Sequence, residues 1–182
     1  MVRLFVAIDL PEPVRERLAA LCSGVPGARW VAPEQFHLTL RFIGEVAEDR
    51  FREIAAALPA AAGPPFSLAL DGLGFFPPRG RPRVLWAGVA ASEPLLALRT
   101  RVESALAAVG VEREGRRFAP HVTLARLKGT SPGRVGRFLE HHPLFRTDPF
   151  PVDRYLLYSS VLTRHGAHHR VEAAYPLTEA RP

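Results

Sequence analysis

The tetrapeptide His-Leu-Thr-Leu at residues 37–40 returns as His-Val-Thr-Leu at residues 121–124, nearly half a chain later in a sequence of 182 residues. A repeat at that distance points to two related lobes. Each copy alternates polar and apolar positions, the period of a strand with one covered face. Side chains at i and i+2 share a face, so His37 and Thr39 point one way while Leu38 and Leu40 point the other. In the second copy His121 and Thr123 share a face, with Val122 and Leu124 behind them. The aliphatic residues anchor both strands in apolar interior. A pseudo-twofold between the lobes then sets the two polar pairs opposite each other across a cleft.

The rest of the chain supplies elements for such lobes. Residues 3–10 (RLFVAIDL) read as a strand, and 11–23 as a helix with Pro near its first turn and Val14, Leu18 and Leu21 on one face. Residues 35–43 alternate as a strand. A helix over 48–61 stops at Gly63-Pro64-Pro65. Two strands, 66–73 and 83–89, flank the turn-rich FFPPRGRP. A helix spans 93–109, a strand 118–127 and a short helix 132–141, and strands over 152–162 and 169–177 close the chain. Hairpin-like neighbours among these elements predict an α+β fold with antiparallel pairing, and the repeat makes it one bilobal domain over 1–182, with a sheet and helices in each lobe and a cleft between them. No glycine-rich phosphate loop follows any strand.

A chain of this length buries roughly 70% of its unfolded surface, enough for a core without disulfides. Cys22 is the single cysteine and has no internal partner. No apolar run approaches the roughly 20 residues of a membrane span, and Asp9 interrupts the N-terminal apolar stretch too early for a secretory signal. A cytoplasmic protein with no membrane partner is expected. The net charge of +6 favours an anionic partner without choosing one. Of 24 basic residues only Lys128 is a lysine. Arginine suits phosphate through its two-pronged fork.

Two opposed histidines supply what phosphodiester hydrolysis needs. A neutral imidazole takes a proton from attacking water, and an imidazolium gives one to the departing oxygen. Side chains with ordinary values near 6.5 hold both states around neutral pH. The Thr39 and Thr123 hydroxyls can donate to the non-bridging phosphate oxygens, where charge builds up. The scheme requires no metal and no cofactor. His141, His142, His165, His168 and His169 have no spacing that fits a metal site and read as surface histidines. An RNA-binding module without turnover would use the same basic charge, but binding alone does not call for two opposed proton-transfer groups.

These residues resemble the two-histidine (2H) phosphoesterase superfamily, whose signature is a pair of His-x-Thr-x motifs. HLTLRFIGE, RRFAPHVTLARLK, the opening RLFVAIDLP, the central GLGFFPPRGRPRVLWAGV and the closing LLYSSVLTRHGAHHRVEAAYPL are similar to the bacterial and archaeal RNA 2',3'-cyclic phosphodiesterase branch, also called the 2'-5' RNA ligase family. The resemblance implies opening of a terminal 2',3'-cyclic phosphate to a 2'-phosphomonoester, with reverse 2'-5' ligation as a related reaction. It implies His37 as proton donor, His121 as proton acceptor, and Thr39 and Thr123 as phosphate ligands. The expected partners are RNA ends or nucleotides carrying the cyclic phosphate, tRNA fragments among them, and no obligate protein partner.

Arg126 lies where the family often carries arginine, yet strict alternation puts it on the face away from His121 unless a bulge turns it. Arg41 shares the face of His37 and Thr39 by the same alternation and is expected as a phosphate or ribose contact. Phe76, heading the Pro-rich turn, is a candidate for stacking on a base. Where relatives carry a tyrosine shortly after the glycine of the last segment, this chain has Gly166-Ala167-His168-His169. Substrate choice within the superfamily, including small cyclic nucleotides and 2'-5' oligoadenylate, is assigned to the loops at 75–82 and 162–169.

Overall fold

The apolar run of residues 4–8 forms the middle of β1 (Val2–Asp9), and all five side chains are buried. A computed structural model describes residues 1–179. After β1 come α1 (Glu12–Ala19), β2 (Ala28–Trp30), a 3-10 turn at Pro33–Gln35 and β3 (His37–Val46). Helix α2 (Glu48–Ala57) tightens into a second 3-10 turn at Leu58–Ala61, and β4 (Phe66–Leu68), β5 (Leu70–Phe76) and β6 (Val84–Val89) follow. The second half holds α3 (Glu93–Ala108), β7 (His121–Leu127), α4 (Pro132–His141), β8 (Phe150–Val152), β9 (Arg154–Thr163) and β10 (Gly166–Pro176). Helix α3 starts where Ser92 accepts a hydrogen bond from the Leu95 amide, which satisfies one free N–H of its first turn.

The main sheet runs β10-β9-β1-β3-β7-β6-β5, with β2 also paired to β7, and every pairing is antiparallel. It consists of two half-sheets, β10-β9-β1-β3 and β2-β7-β6-β5. Strands β3 and β7 are in register at one residue pair, Leu38 with Val122. The sheets expected one per lobe are therefore joined edge to edge through the centres of the two repeated motifs. Behind this junction Leu38, Leu40, Val122 and Leu124 share a core with Leu18 of α1, Ile54 of α2, Leu98 and Val102 of α3 and Val135 of α4. All four motif side chains are at most 2% exposed, and burial of each stabilises the fold by about 1.5–3 kcal/mol.

Both motif strands carry a bulge at the same place. Between β1 and β3 the register passes from Ala7–Thr39 to Val6–Arg41, leaving Leu40 without a partner. Between β6 and β7 it passes from Trp86–Thr123 to Leu85–Ala125, leaving Leu124 without one. An extra residue inverts the alternation beyond it. Leu40 and Arg41 are consequently both buried, as are Leu124 and Ala125, and Phe42 and Arg126 turn out to the exposed face.

The short strands β2 and β8 escape the sequence reading because three residues show no period. Helix α1 ends four residues before the expected Ser23, where Leu21 closes a tighter turn onto Leu18. No helix among the described residues is long and apolar enough to cross a membrane.

Candidate functional site

His37 and His121 each stand one residue from the Leu38–Val122 junction, on the face opposite the core. Extending that antiparallel register by one residue sets His37 toward Thr123 and Thr39 toward His121. The two rings are held alike. Nδ1 of His37 donates to the Gln35 carbonyl at 2.7 Å, and Nδ1 of His121 donates to the Ala119 carbonyl at 2.7 Å. A carbonyl only accepts, so Nδ1 carries the proton in both residues and Nε2 is left for chemistry. In each lobe the accepting carbonyl lies two residues before the histidine.

The surroundings differ. His37 sits in an aromatic wall, its ring 4.9 Å from Phe5, 6.0 Å from Tyr158 and 5.2 Å from His169. The backbone N–H of His169 donates to Oε1 of Gln35 at 3.0 Å, so β10 grips the residue whose carbonyl holds His37. Burial pushes His37 down to about 4; the Gln35 hydrogen bond opposes this, and the nearby His169 and His121 add to it. Asp9, opposite His37 in the register, is held by Arg154 through a two-point ion pair. Burial first, then His168 and Arg126, lowers the value of His169 too, and its Nδ1 is buried without a partner. A cavity of about 280 Å³ opens beside His37, with Gln35, Arg154, Tyr158 and His169 on its wall. His121 is not among the residues that line it.

On the second lobe His121 is flanked by Phe76, edge-on with centroids 5.0 Å apart, and by Trp86 at 6.4 Å. Phe76 thus lies beside a motif histidine and packs on Trp86 as well, at 5.2 Å. Gly74 makes room for that indole: a Cβ there would come within 2.4 Å of the Trp86 ring.

Arg41 is not in the cleft, which corrects the expectation from alternation. The bulge at Leu40 turns it into the core, 8% exposed, with Nε 2.6 Å from Oε1 of Glu103 on α3. That N–H is not aimed along the line to the oxygen, so the contact is coulombic rather than a directed hydrogen bond. Its other guanidinium nitrogens donate to the carbonyls of Phe42 and Glu112. Arg126, by contrast, is brought by the Leu124 bulge onto the exposed face of His121 and Thr123, close enough to depress His169. The matching position in the first lobe is Phe42, 49% exposed and stacked on Phe5 at 5.9 Å with planes 3° apart.

Sequence reading passed over Phe42, Gln35 and Trp86, and it took His169 for a surface histidine, whereas His169 packs against His37 on the cavity wall. Aligning the two repeats makes residue 42 the counterpart of residue 126, the signal that could have found Phe42. No cluster of three His, Cys, Asp or Glu side chains suited to a metal occurs among the described residues.

The sequence matches the LigT like phosphoesterase family twice, over residues 8–86 and 89–168. Proteins named RNA 2',3'-cyclic phosphodiesterase are similar along most of their length. The one from Archaeoglobus fulgidus is 34% identical over 168 residues, covering 91% of this chain and 94% of that protein. The one from Aeropyrum pernix is 41% identical over 147 residues, covering 79% and 82%. The fold superimposes on TT0787 of Thermus thermophilus with a TM-score of 0.83 and 30% identity, covering 98% of this chain and all of that one. Escherichia coli LigT in complex with 3'-AMP gives 0.77 and 28% identity, with 98% and 99% covered. With two copies of the family pattern, one around each histidine, this chain belongs to the LigT-like phosphoesterase family.

Proposed function

We propose that this protein is an RNA 2',3'-cyclic phosphodiesterase whose two lobes act as one domain, residues 1–182, and open a terminal cyclic phosphate to a 2'-phosphomonoester. The observation that carries the reading is the pair of histidines at matching places beside the lobe junction, each fixed through Nδ1 with Nε2 free. His121 accepts a proton from water at Nε2 while the water oxygen bonds to phosphorus. The bond from phosphorus to the 3' oxygen breaks, and Nε2 of His37 delivers a proton to that oxygen. Each transfer contributes roughly 10²- to 10⁴-fold in rate. Thr39 and Thr123 donate hydroxyl hydrogen bonds to the non-bridging oxygens. Arg126 adds positive charge along the phosphate backbone, and Phe76 packs beside His121 at the substrate edge.

Burial keeps His37 neutral in the free protein, whereas a donor must be an imidazolium. The negative charge of the bound phosphodiester favours the protonated ring, so the substrate itself charges His37. Reverse 2'-5' joining follows the same path backwards. RNA ends, including those of tRNA fragments, in the cytoplasm are the substrates this chemistry fits.

The test is hydrolysis of a nucleoside 2',3'-cyclic phosphate by purified protein in EDTA, with the product isomer identified. The expected result is a 2'-phosphate that disappears in both His37→Ala and His121→Ala. Absence of turnover on nucleotide and RNA-terminal cyclic phosphates, or loss of activity in EDTA, would overturn it.

A further inference from the structure

Charge pairing differs between the two half-sheets. Every arginine on the strands of the first, Arg3, Arg41, Arg154 and Arg170, lies within 4 Å of a carboxylate. On the second, the strand arginines are Arg29 of β2 and Arg126 of β7, and among the described residues neither has an ion-pair partner. They are direct cross-strand partners in the β2–β7 register, so their side chains rise from the same face. Both are exposed. That face is the one bearing His121 and Thr123. Like charges set directly opposite each other on a sheet are destabilising, and among the described residues no carboxylate lies within 4 Å of either member of this pair. More positive charge surrounds it: Lys128 follows the end of β7, and Arg83 accepts through its carbonyl from the Leu127 amide.

Two guanidinium forks on one face form a site for an anion with several acceptor oxygens. The reacting phosphate is already assigned to the histidines and threonines. We infer that Arg29 and Arg126 clamp a second phosphate, the phosphodiester on the 5' side of the nucleoside that carries the cyclic phosphate. The inference rests on the phosphodiesterase reading and narrows it, because a polymer end becomes a better substrate than a lone nucleotide. Arg126 lies along β7 three residues past Thr123, and Arg29 stands directly across from it on β2.

Three substrates test the clamp: a nucleoside 2',3'-cyclic phosphate, a dinucleotide ending in the same group, and that dinucleotide with an uncharged methylphosphonate linkage. The charged dinucleotide is expected to exceed the methylphosphonate by about tenfold in kcat/KM, the scale of one charge-assisted contact. Arg29→Gln should abolish that preference and lower the dependence of log KM on log salt concentration by about 0.7 for the charged dinucleotide, as expected for loss of one single-strand phosphate contact. Equal use of the charged and uncharged dinucleotides by the native protein overturns the clamp. So does an equal loss on both in Arg29→Gln, the mark of a structural role. If the native protein turns over none of the three, the phosphodiesterase reading fails by itself. Calorimetric binding of the dinucleotide 2'-phosphate, charged against methylphosphonate, then still decides the clamp.

Discussion

The imidazole of His169 stands edge-on to that of His37, with planes at 87° and centroids 5.2 Å apart. This contact, with the burial that is the main cause, depresses His37 to about 4. The folded protein therefore refuses a proton that the unfolded chain binds near pH 6.5, and stability falls as the pH drops from about 6.5 toward 4. A shift of this size amounts to about 3 kcal/mol when fully developed. Urea unfolding of the native protein and His37→Asn at pH 7 and pH 4.5 checks it. The variant should lose less stability on acidification; identical losses would show that His37 does not carry the effect.

The roles of the two histidines separate with a leaving group that needs no proton. A nitrophenyl ester of a nucleotide releases nitrophenolate unaided. His37→Ala should recover most of its lost rate on that substrate relative to the cyclic phosphate, since only the donor is missing. His121→Ala should remain impaired on both by roughly 10²-fold or more. The opposite pattern would exchange the two assignments.

Arg41 and Glu103 make a stability prediction instead of a catalytic one. Glu103 is 3% exposed and faces both Arg41 and Arg99, at 2.6 and 3.2 Å. Arg41→Ala leaves that carboxylate buried with one cation fewer, at a cost of about 3 kcal/mol. Denaturant midpoints should drop accordingly, while KM for a cyclic phosphate substrate changes less than twofold at a temperature where the variant is folded. A large KM effect would return Arg41 to the cleft.

Phe42 should behave in the reverse way. The residue is about half exposed, so Phe42→Ala should change the melting temperature little. One lost stacking contact is worth about 1–3 kcal/mol, so KM for an oligonucleotide should rise at least fivefold. Steady-state kinetics with a short RNA bearing the cyclic end measures it. An unchanged KM would remove Phe42 from the substrate path.

The repeated motif made the lobes, the two strands and the four cleft-facing side chains legible in the sequence. Period-two reading assumes an unbroken ladder, and the assumption failed one residue past each threonine. Leu40 and Leu124 look like ordinary members of an alternating run; that they stand unpaired depends on β1 and β6, strands remote in sequence. Arg41 was therefore placed on the wrong face, and Arg126 could be placed only by supposing a bulge. His169 reaches His37 through the pairing of β10 with β9, of β9 with β1 and of β1 with β3, a relation among four strands that no local pattern encodes. A histidine at the polar start of the last strand looks the same whether it meets solvent or another imidazole.

The twin bulges bear on the polarity of the bound strand. A cleft with a histidine and a threonine on either side presents nearly the same face to a phosphodiester entered forwards or backwards, and either ribose oxygen could then depart. The backbone inserts one residue on each side at equivalent points and so exposes one further position per lobe. Those positions hold a ring at 42 and a cation at 126. A base and a phosphate cannot exchange these places without loss. With the proposed acid and base in place, regiochemistry in such a cleft would be biased by the two side chains that the bulges turn outward.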